Sequence, residues 1–257
     1  MRLQSITPLS LLAIIITSLF SCTDKNEEFI TDNISDYHLR LTPGKYITYR
    51  IDSLVFTNFG RNIETHRYQV KDQVDALITD NLGRPSFRVF RYLRDSLGTT
   101  PWQPSGTYLI TVLSDQVEVM EDNLRVIKLH MPLKDGFSWK GNSFVPTNPY
   151  FPKYDMQNDN NIQFWDFYYD GESTSFSYRG NNYADVYTVE QVKDLVNVPI
   201  TSPTSYASKS RVLEKYAKNI GLVYTEYELW DYQPNSTGSG GPYYTGFGIR
   251  KWMIDHN

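Results

Sequence analysis

Cysteine occurs once in these 257 residues, and that scarcity removes two classes of structure at the outset. No internal disulfide can form, and no thiolate cluster can hold zinc or an iron–sulfur group. Histidine is scarce as well. His38, His66, His130 and His256 stand far apart with no neighbour at metal-ligand spacing, whereas a zinc site needs three or four N or S ligands. No basic cluster stands out in a chain of formal net charge −4, which becomes one unit more negative once Arg2 is lost with the leader. Nucleic acid is therefore not an expected partner, since affinity for it rests on clustered Lys and Arg.

Recognisable catalytic patterns are missing too. Gly238-Ser239-Gly240-Gly241 lacks the G-x-S-x-G spacing of a nucleophile elbow. Asp155, Gln157, Asp159 and Asn161 alternate oxygen-bearing side chains as calcium loops do, but without the required Gly, and Asp166 stands where the closing Glu belongs. The carboxylate pairs Asp166 with Asp170 and Glu226 with Glu228 sit at a spacing that usually marks a solvent face rather than an acid–base couple. No cofactor is expected, and no catalytic residue is assigned.

What is present begins at the N-terminus. Arg2 is the sole charge before position 24, and Leu9 to Phe20 runs twelve residues without charge, Gly or Pro. A spanning helix needs about 17–25 apolar residues, so a secretory signal fits better. The run closes on Leu19-Phe20-Ser21-Cys22, which resembles the lipobox of bacterial lipoproteins. That resemblance implies cleavage after residue 21, acylation of Cys22 with a diacylglyceryl group and a further fatty acid such as palmitate, and a bilayer as partner. More than one acyl chain is what stable anchoring requires. Residues 22–36 follow as an expected flexible tether. Within it Thr23-Asp24-Lys25-Asn26-Glu27-Glu28 resembles the acidic export tag of surface lipoproteins of the Bacteroidetes. An outer-membrane location facing either the periplasm or the cell surface is expected.

From residue 37 to 257 the pattern is that of one β-rich domain. Tyr46 to Phe56 alternates in the strand manner before a turn at Asn58-Phe59-Gly60, and Ile63 to Ile78 reads as a long strand that bends. Further strands are expected at Phe87 to Arg94, Thr107 to Leu113, Val117 to Met120, Leu124 to Leu129, Ile162 to Tyr169, Phe176 to Tyr178, Ala184 to Val198, Leu222 to Tyr232 and Gly246 to Ile254. A proline-rich loop occupies the middle. Ser205 to Asn219 predicts the one helix, with Tyr206, Val212, Leu213, Tyr216 and Ala217 on its apolar stripe and Gly221 at its end. The expected fold is mainly β, a curled antiparallel sheet or partly closed barrel of about ten strands with that helix against it.

Three segments carry a second resemblance: Gly136 to Asn142, Ala184 to Val189, and Tyr216 to Tyr224 with its Tyr-Ala-x-x-Ile-Gly-Leu-Val core. They are similar to a pattern in a family of Bacteroidetes lipoproteins to which no reaction is assigned. The resemblance implies a β-rich exported domain and carries over no catalytic residue. The functional expectation is a non-enzymatic, outer-membrane-anchored binding or envelope-support module. A glycan-binding accessory of polysaccharide uptake is the second reading, and an enzyme without a recognisable motif the third. With 20 Tyr, 13 Phe and 5 Trp, aromatics are plentiful enough to supply a contact surface as well as strands. The candidate surface for glycan or envelope protein is Trp139, Tyr150, Tyr154, Trp165, Tyr168 and Tyr169.

Overall fold

Alternation of inward and outward residues over long stretches leaves the chain little choice but to pair neighbouring segments as antiparallel strands. The computed structural model describes residues 32–38, 41–151, 153–154, 156, 161–235 and 240–257. The signal, the lipobox residues Leu19, Phe20 and Ser21, and Cys22 lie outside that set. Thirteen strands form one sheet. They are β1 (Tyr46–Thr57), β2 (Asn62–Thr79), β3 (Pro85–Asp95), β4 (Gln103–Val112), β5 (Gln116–Glu121), β6 (Leu124–His130), β7 (Ser138–Trp139), β8 (Phe167–Tyr169), β9 (Thr174–Tyr178), β10 (Asn181–Val196), β11 (Ala207–Ala217), β12 (Gly221–Gln233) and β13 (Tyr243–His256).

The order across the sheet is β6-β5-β4-β3-β2-β1-β13-β12-β11-β10-β8-β7, with β9 paired to β10. Two meanders are thus joined where β1 meets β13, with Ile51 opposite Lys251. Register shifts at Thr48/Tyr49, Val74/Ala76, Arg91/Tyr92, Val117/Glu118 and Glu190/Val192 bend the strands, and such bulges curl a sheet toward closure. The result is a nearly closed antiparallel barrel.

Its two edges meet at a seam. The Ile127 amide on β6 donates to the Gly141 carbonyl at 2.8 Å, and the Trp139 indole N–H donates to the Ile127 carbonyl at 2.9 Å. Gly141 must be glycine here, because a Cβ would stand 2.3 Å from the Phe167 ring.

One end of the barrel is stoppered by a short 3-10 turn, Ile34–Tyr37, which packs against β5 and β12. Tyr37 is fully buried, its ring set edge-on to Tyr187 at 5.0 Å. Its hydroxyl donates to Asp32 Oδ2 at 2.7 Å, Lys218 Nζ contacts Asp32 Oδ1 at 2.5 Å, and the Asn219 amide donates to the Asp36 carbonyl at 2.6 Å. The flexible tether expected over 22–36 therefore gives way to packed structure by Asp32. Apolar Ile34 is the reason, since it is 3% exposed and belongs to the core.

The expected helix at Ser205 to Asn219 is strand β11, bonded to β10 on one side and β12 on the other. Ser210, Val212, Glu214 and Tyr216 are buried on one face. Lys209 and Arg211 alternate on the other, where they meet Glu226, Glu228 and Glu190. Period two in the charged residues outweighed the apolar stripe. Gly221 does take a positive φ of 109°, but it closes the β11–β12 hairpin rather than a helix. Among the described residues, 3-10 turns at Ile34–Tyr37 and Ile162–Phe164 are the only helical pieces.

Candidate ligand-binding cavity

Strands of this barrel turn charged residues inward. Asp72 lies between Val70 and Val74, Arg91 between Val89 and Leu93, Glu214 between Val212 and Tyr216, and Lys251 between Ile249 and Met253. Alternation forces each onto the same face as its apolar neighbours two positions away. Pairing confirms the geometry, with Asp72 opposite Arg91 across β2 and β3. These residues, with Tyr49, Tyr108, Glu121, Lys128 and Tyr216, line an interior cavity of about 130 Å³.

Most of the interior charge is paired. Arg91 bridges two carboxylates, with Nε 2.8 Å from Asp72 Oδ1 and Nη1 on Glu121. Burial alone would lower its pKa, but Asp72 and Glu121 reverse that effect and hold the guanidinium firmly charged. Its Cζ also lies over the Tyr108 ring, 4.9 Å from the centroid. Lys128 Nζ lies 2.8 Å from Glu214 Oε1, while the other Glu214 oxygen accepts from the Tyr216 hydroxyl at 2.8 Å and Gln191 Nε2 at 3.2 Å. Burial pushes the Tyr49, Tyr108 and Tyr216 hydroxyls well above their ordinary value, which keeps them protonated as donors.

A second cavity of about 290 Å³ shares Arg91, Val119, Glu121, Lys128 and Lys251 with the first. It opens beside the β5–β6 turn. Because neighbouring strands run antiparallel, that turn is at the end opposite the β11–β12 hairpin and the Ile34–Tyr37 stopper. The rim carries four rings. Tyr154 stacks on Phe247 at 4.1 Å, Tyr150 meets Phe247 edge-on at 5.2 Å, and the Tyr150 and Tyr227 hydroxyls hydrogen-bond to each other. Lys153 reaches across to Asp122 at 3.2 Å and fastens this loop to the β5–β6 turn.

The six aromatic residues expected to form one contact surface are distributed over three places. Trp139, Trp165 and Tyr169 are core residues, exposed by 7%, 7% and 0%. Trp139 packs on Phe167 and Tyr169, and the Tyr169 hydroxyl donates to the His130 carbonyl at 2.7 Å. A sugar-stacking face built from these tryptophans is thereby corrected: burial of large apolar area, the commoner use of such rings, claims them. Tyr168 points away from the core and donates to Glu190 Oε1 at 2.5 Å. Of the six, Tyr150 and Tyr154 are the pair at the cavity rim.

The remaining candidates do not converge. Asp166 pairs with Lys140 at the surface, and Glu226 and Glu228 share Lys209 at 2.9 and 2.8 Å with Arg250 beside them. Asp155, Gln157 and Asp159 lie outside the described residues, among which no group of three or more metal-ligating side chains occurs. Sequence reasoning missed the interior charges. Their signal was a charged residue flanked two positions either side by apolar ones.

No protein-family model matches this chain, and no curated protein matches its sequence. Similar solved structures include a Bacteroides fragilis protein described as exported with a YmcC-like fold, 11% identical over 86% of this chain and 99% of that one, at a TM-score of 0.36. A Parabacteroides distasonis protein described as a lipoprotein is 11% identical over 86% of this chain and 99% of its own, at 0.33. A Vibrio parahaemolyticus domain described as an outer membrane lipoprotein-sorting protein is 11% identical over 83% and 85%, at 0.20. At such scores the likeness assigns neither a family nor a role.

Proposed function

We propose that this chain is a lipid-anchored extracytoplasmic binding protein whose barrel interior receives a small molecule. One observation carries the reading: two joined cavities, lined by Arg91, Lys128, Lys251 and tyrosine hydroxyls, open at a ring-lined rim. An interior that served packing alone would be apolar, because buried charge costs stability unless fully paired. The larger cavity is close to the lower bound of small-molecule sites, about 300 Å³. Asp72, Glu121 and Glu214 are each held in ion pairs, an arrangement suited to holding a ligand rather than to moving protons. The lipobox supports attachment at Cys22, and the outer membrane is the location we assign.

The test has two arms. Metabolic labelling with palmitate, followed by envelope fractionation, should mark the wild-type chain and fail on Cys22→Ala, which should leave the membrane fraction. Titration of the Tyr150→Ala variant and wild type with small-molecule libraries, followed by thermal shift, should give hits that the variant weakens. A labelled Cys22→Ala, or hits indifferent to Tyr150, would refute the corresponding half.

A further inference from the structure

The cavity lining holds three carboxylates, Asp72, Glu121 and Glu214, and three cations, Arg91, Lys128 and Lys251. Arg91 takes two of the carboxylates and Lys128 takes the third. Lys153, the further cation of the rim, pairs with Asp122. Lys251 is left over. Among the described residues no carboxylate lies within ion-pair distance of its ammonium, and its Nζ lies 6.0 Å from the centroid of the Tyr49 ring.

Lys251 occupies the junction of the two cavities and lines both. Protein surrounds it, yet it keeps contact with the open lumen. Below it lie Ile47, Ile110 and Leu222. Above it Ile249, Phe247, Val126 and Tyr154 supply the apolar part of a lining toward the rim that also carries Arg91, Glu121, Asp122, Lys128 and Lys153. We infer that the interior takes a small organic monoanion with a compact apolar body, its carboxylate, sulfonate or sulfate-ester group paired with Lys251 and its body held between Ile249, Phe247 and Tyr154. This inference rests on the proposal that the cavity is a binding site, and names the chemistry of what enters it.

Electrostatics favour that occupant. A cation removed from water without a partner is costly, and an anion arriving in the same low-dielectric space is held far more strongly than at the surface. Burial, followed by the repulsion of Arg91, lowers the Lys251 pKa, and the longer-range attraction of Asp72, Glu121 and Glu214 does not offset this. Those carboxylates, already engaged, would repel a dianion more than a monoanion. Neutral and cationic guests would leave the ammonium uncompensated.

Two probes with the same ring system separate the anion from the cavity: anilinonaphthalene sulfonate, which is anionic, and phenylnaphthylamine, which is neutral. The mature chain carrying Cys22→Ser, produced without residues 1–21, would be titrated with each by fluorescence. The expected result is saturable binding of both, with the sulfonate tighter. Lys251→Met should weaken the sulfonate by about tenfold and change the neutral probe by no more than about twofold, while Lys251→Arg restores sulfonate affinity. Both probes bound but indifferent to Lys251→Met would overturn the anion assignment and leave the cavity reading standing. Neither probe binding to the Cys22→Ser chain would overturn both. Thermal melting of each variant shows that the fold is retained, and Lys251→Gln serves as the uncharged replacement if Met at this position impairs folding.

Discussion

Lys128 and Glu214 meet across the inside of the barrel, Nζ to Oε1 at 2.8 Å, although 86 positions separate them in sequence and their strands are not neighbours in the sheet. The edge strand β6 is thereby tied to β11 through the lumen. Replacing Lys128 by Met leaves the 4%-exposed Glu214 with only Tyr216 and Gln191 for company. Breaking a buried pair on one side should cost about 3 kcal/mol. Removing both ends as Lys128→Met with Glu214→Leu should recover most of the loss, as read by denaturant unfolding. Additive losses in the double variant would mean the pair is not coupled.

Lys251→Met should behave in the opposite sense and raise stability by about 1 kcal/mol at neutral pH, since it removes a buried ammonium that lacks a counter-ion. Burial sets the Lys251 pKa below its ordinary 10.5. Between the folded value and 10.5 the unfolded chain binds more protons, so this group's contribution to stability climbs as pH rises. The advantage of the variant should therefore shrink on going from neutral to alkaline pH. Melting curves of both proteins across that range measure the gap, and a constant gap would refute the assignment.

Above pH 10 the tyrosines reverse the trend. Burial pushes Tyr224 up to about 12, and Tyr150 as well despite the opposing hydrogen bond with Tyr227, while Tyr49 and Tyr216 go higher. In that window the unfolded chain loses phenolic protons that the folded chain keeps, so stability falls with rising pH. Beyond the share owed to the exposed tyrosines, tyrosinate absorbance should grow in step with the unfolding signal. Ionisation that ran well ahead of unfolding would show these rings to be more accessible than the structure has them.

At the seam, Gly141→Ala should destabilise by about 2 kcal/mol, because the added methyl overlaps the Phe167 ring and the neighbours must shift. Hydrogen exchange should report the effect first at the Ile127 amide, which bonds to Gly141. Unchanged protection there would show that the ring gives way without disturbing the closure.

Tyr37→Ala removes the largest side chain of the stopper. Loss of its buried ring against Tyr187 and its hydroxyl bond to Asp32 should cost about 3 kcal/mol. Tyr37→Phe should cost about 1 kcal/mol, as seen by thermal or urea unfolding.

Much of the barrel was legible because its strands alternate cleanly. The turn at Asn58-Phe59-Gly60 is plain in the sequence, and so is the long, bent strand expected over Ile63 to Ile78, which spans Asn62–Thr79. Two readings failed for identifiable reasons. Val212, Leu213, Tyr216 and Ala217 do fall on one side of a helical wheel, but the strand buries both faces of this stretch, so helix and strand patterns overlap. Trp139 and Trp165 were grouped with Tyr150 and Tyr154 because they are close in sequence, whereas the loop between them carries one pair into the core and the other to the rim. The interior ion pairs link β2, β3 and β5, and β6 with β11, and no local pattern announces contacts of such range. Only their shared setting, a charge between apolar positions, hinted at them.

A hoop fastened by a clasp can be let out without unravelling its weave. Releasing Ile127 from Gly141 and Trp139 breaks none of the ladders between adjacent strands, and each such hydrogen bond is worth only about 1 kcal/mol. Closure at β6 therefore rests on a few discrete contacts, the Lys128–Glu214 pair and the Tyr169 hydroxyl bond to the His130 carbonyl among them, where a fully laddered cylinder would have a continuous row.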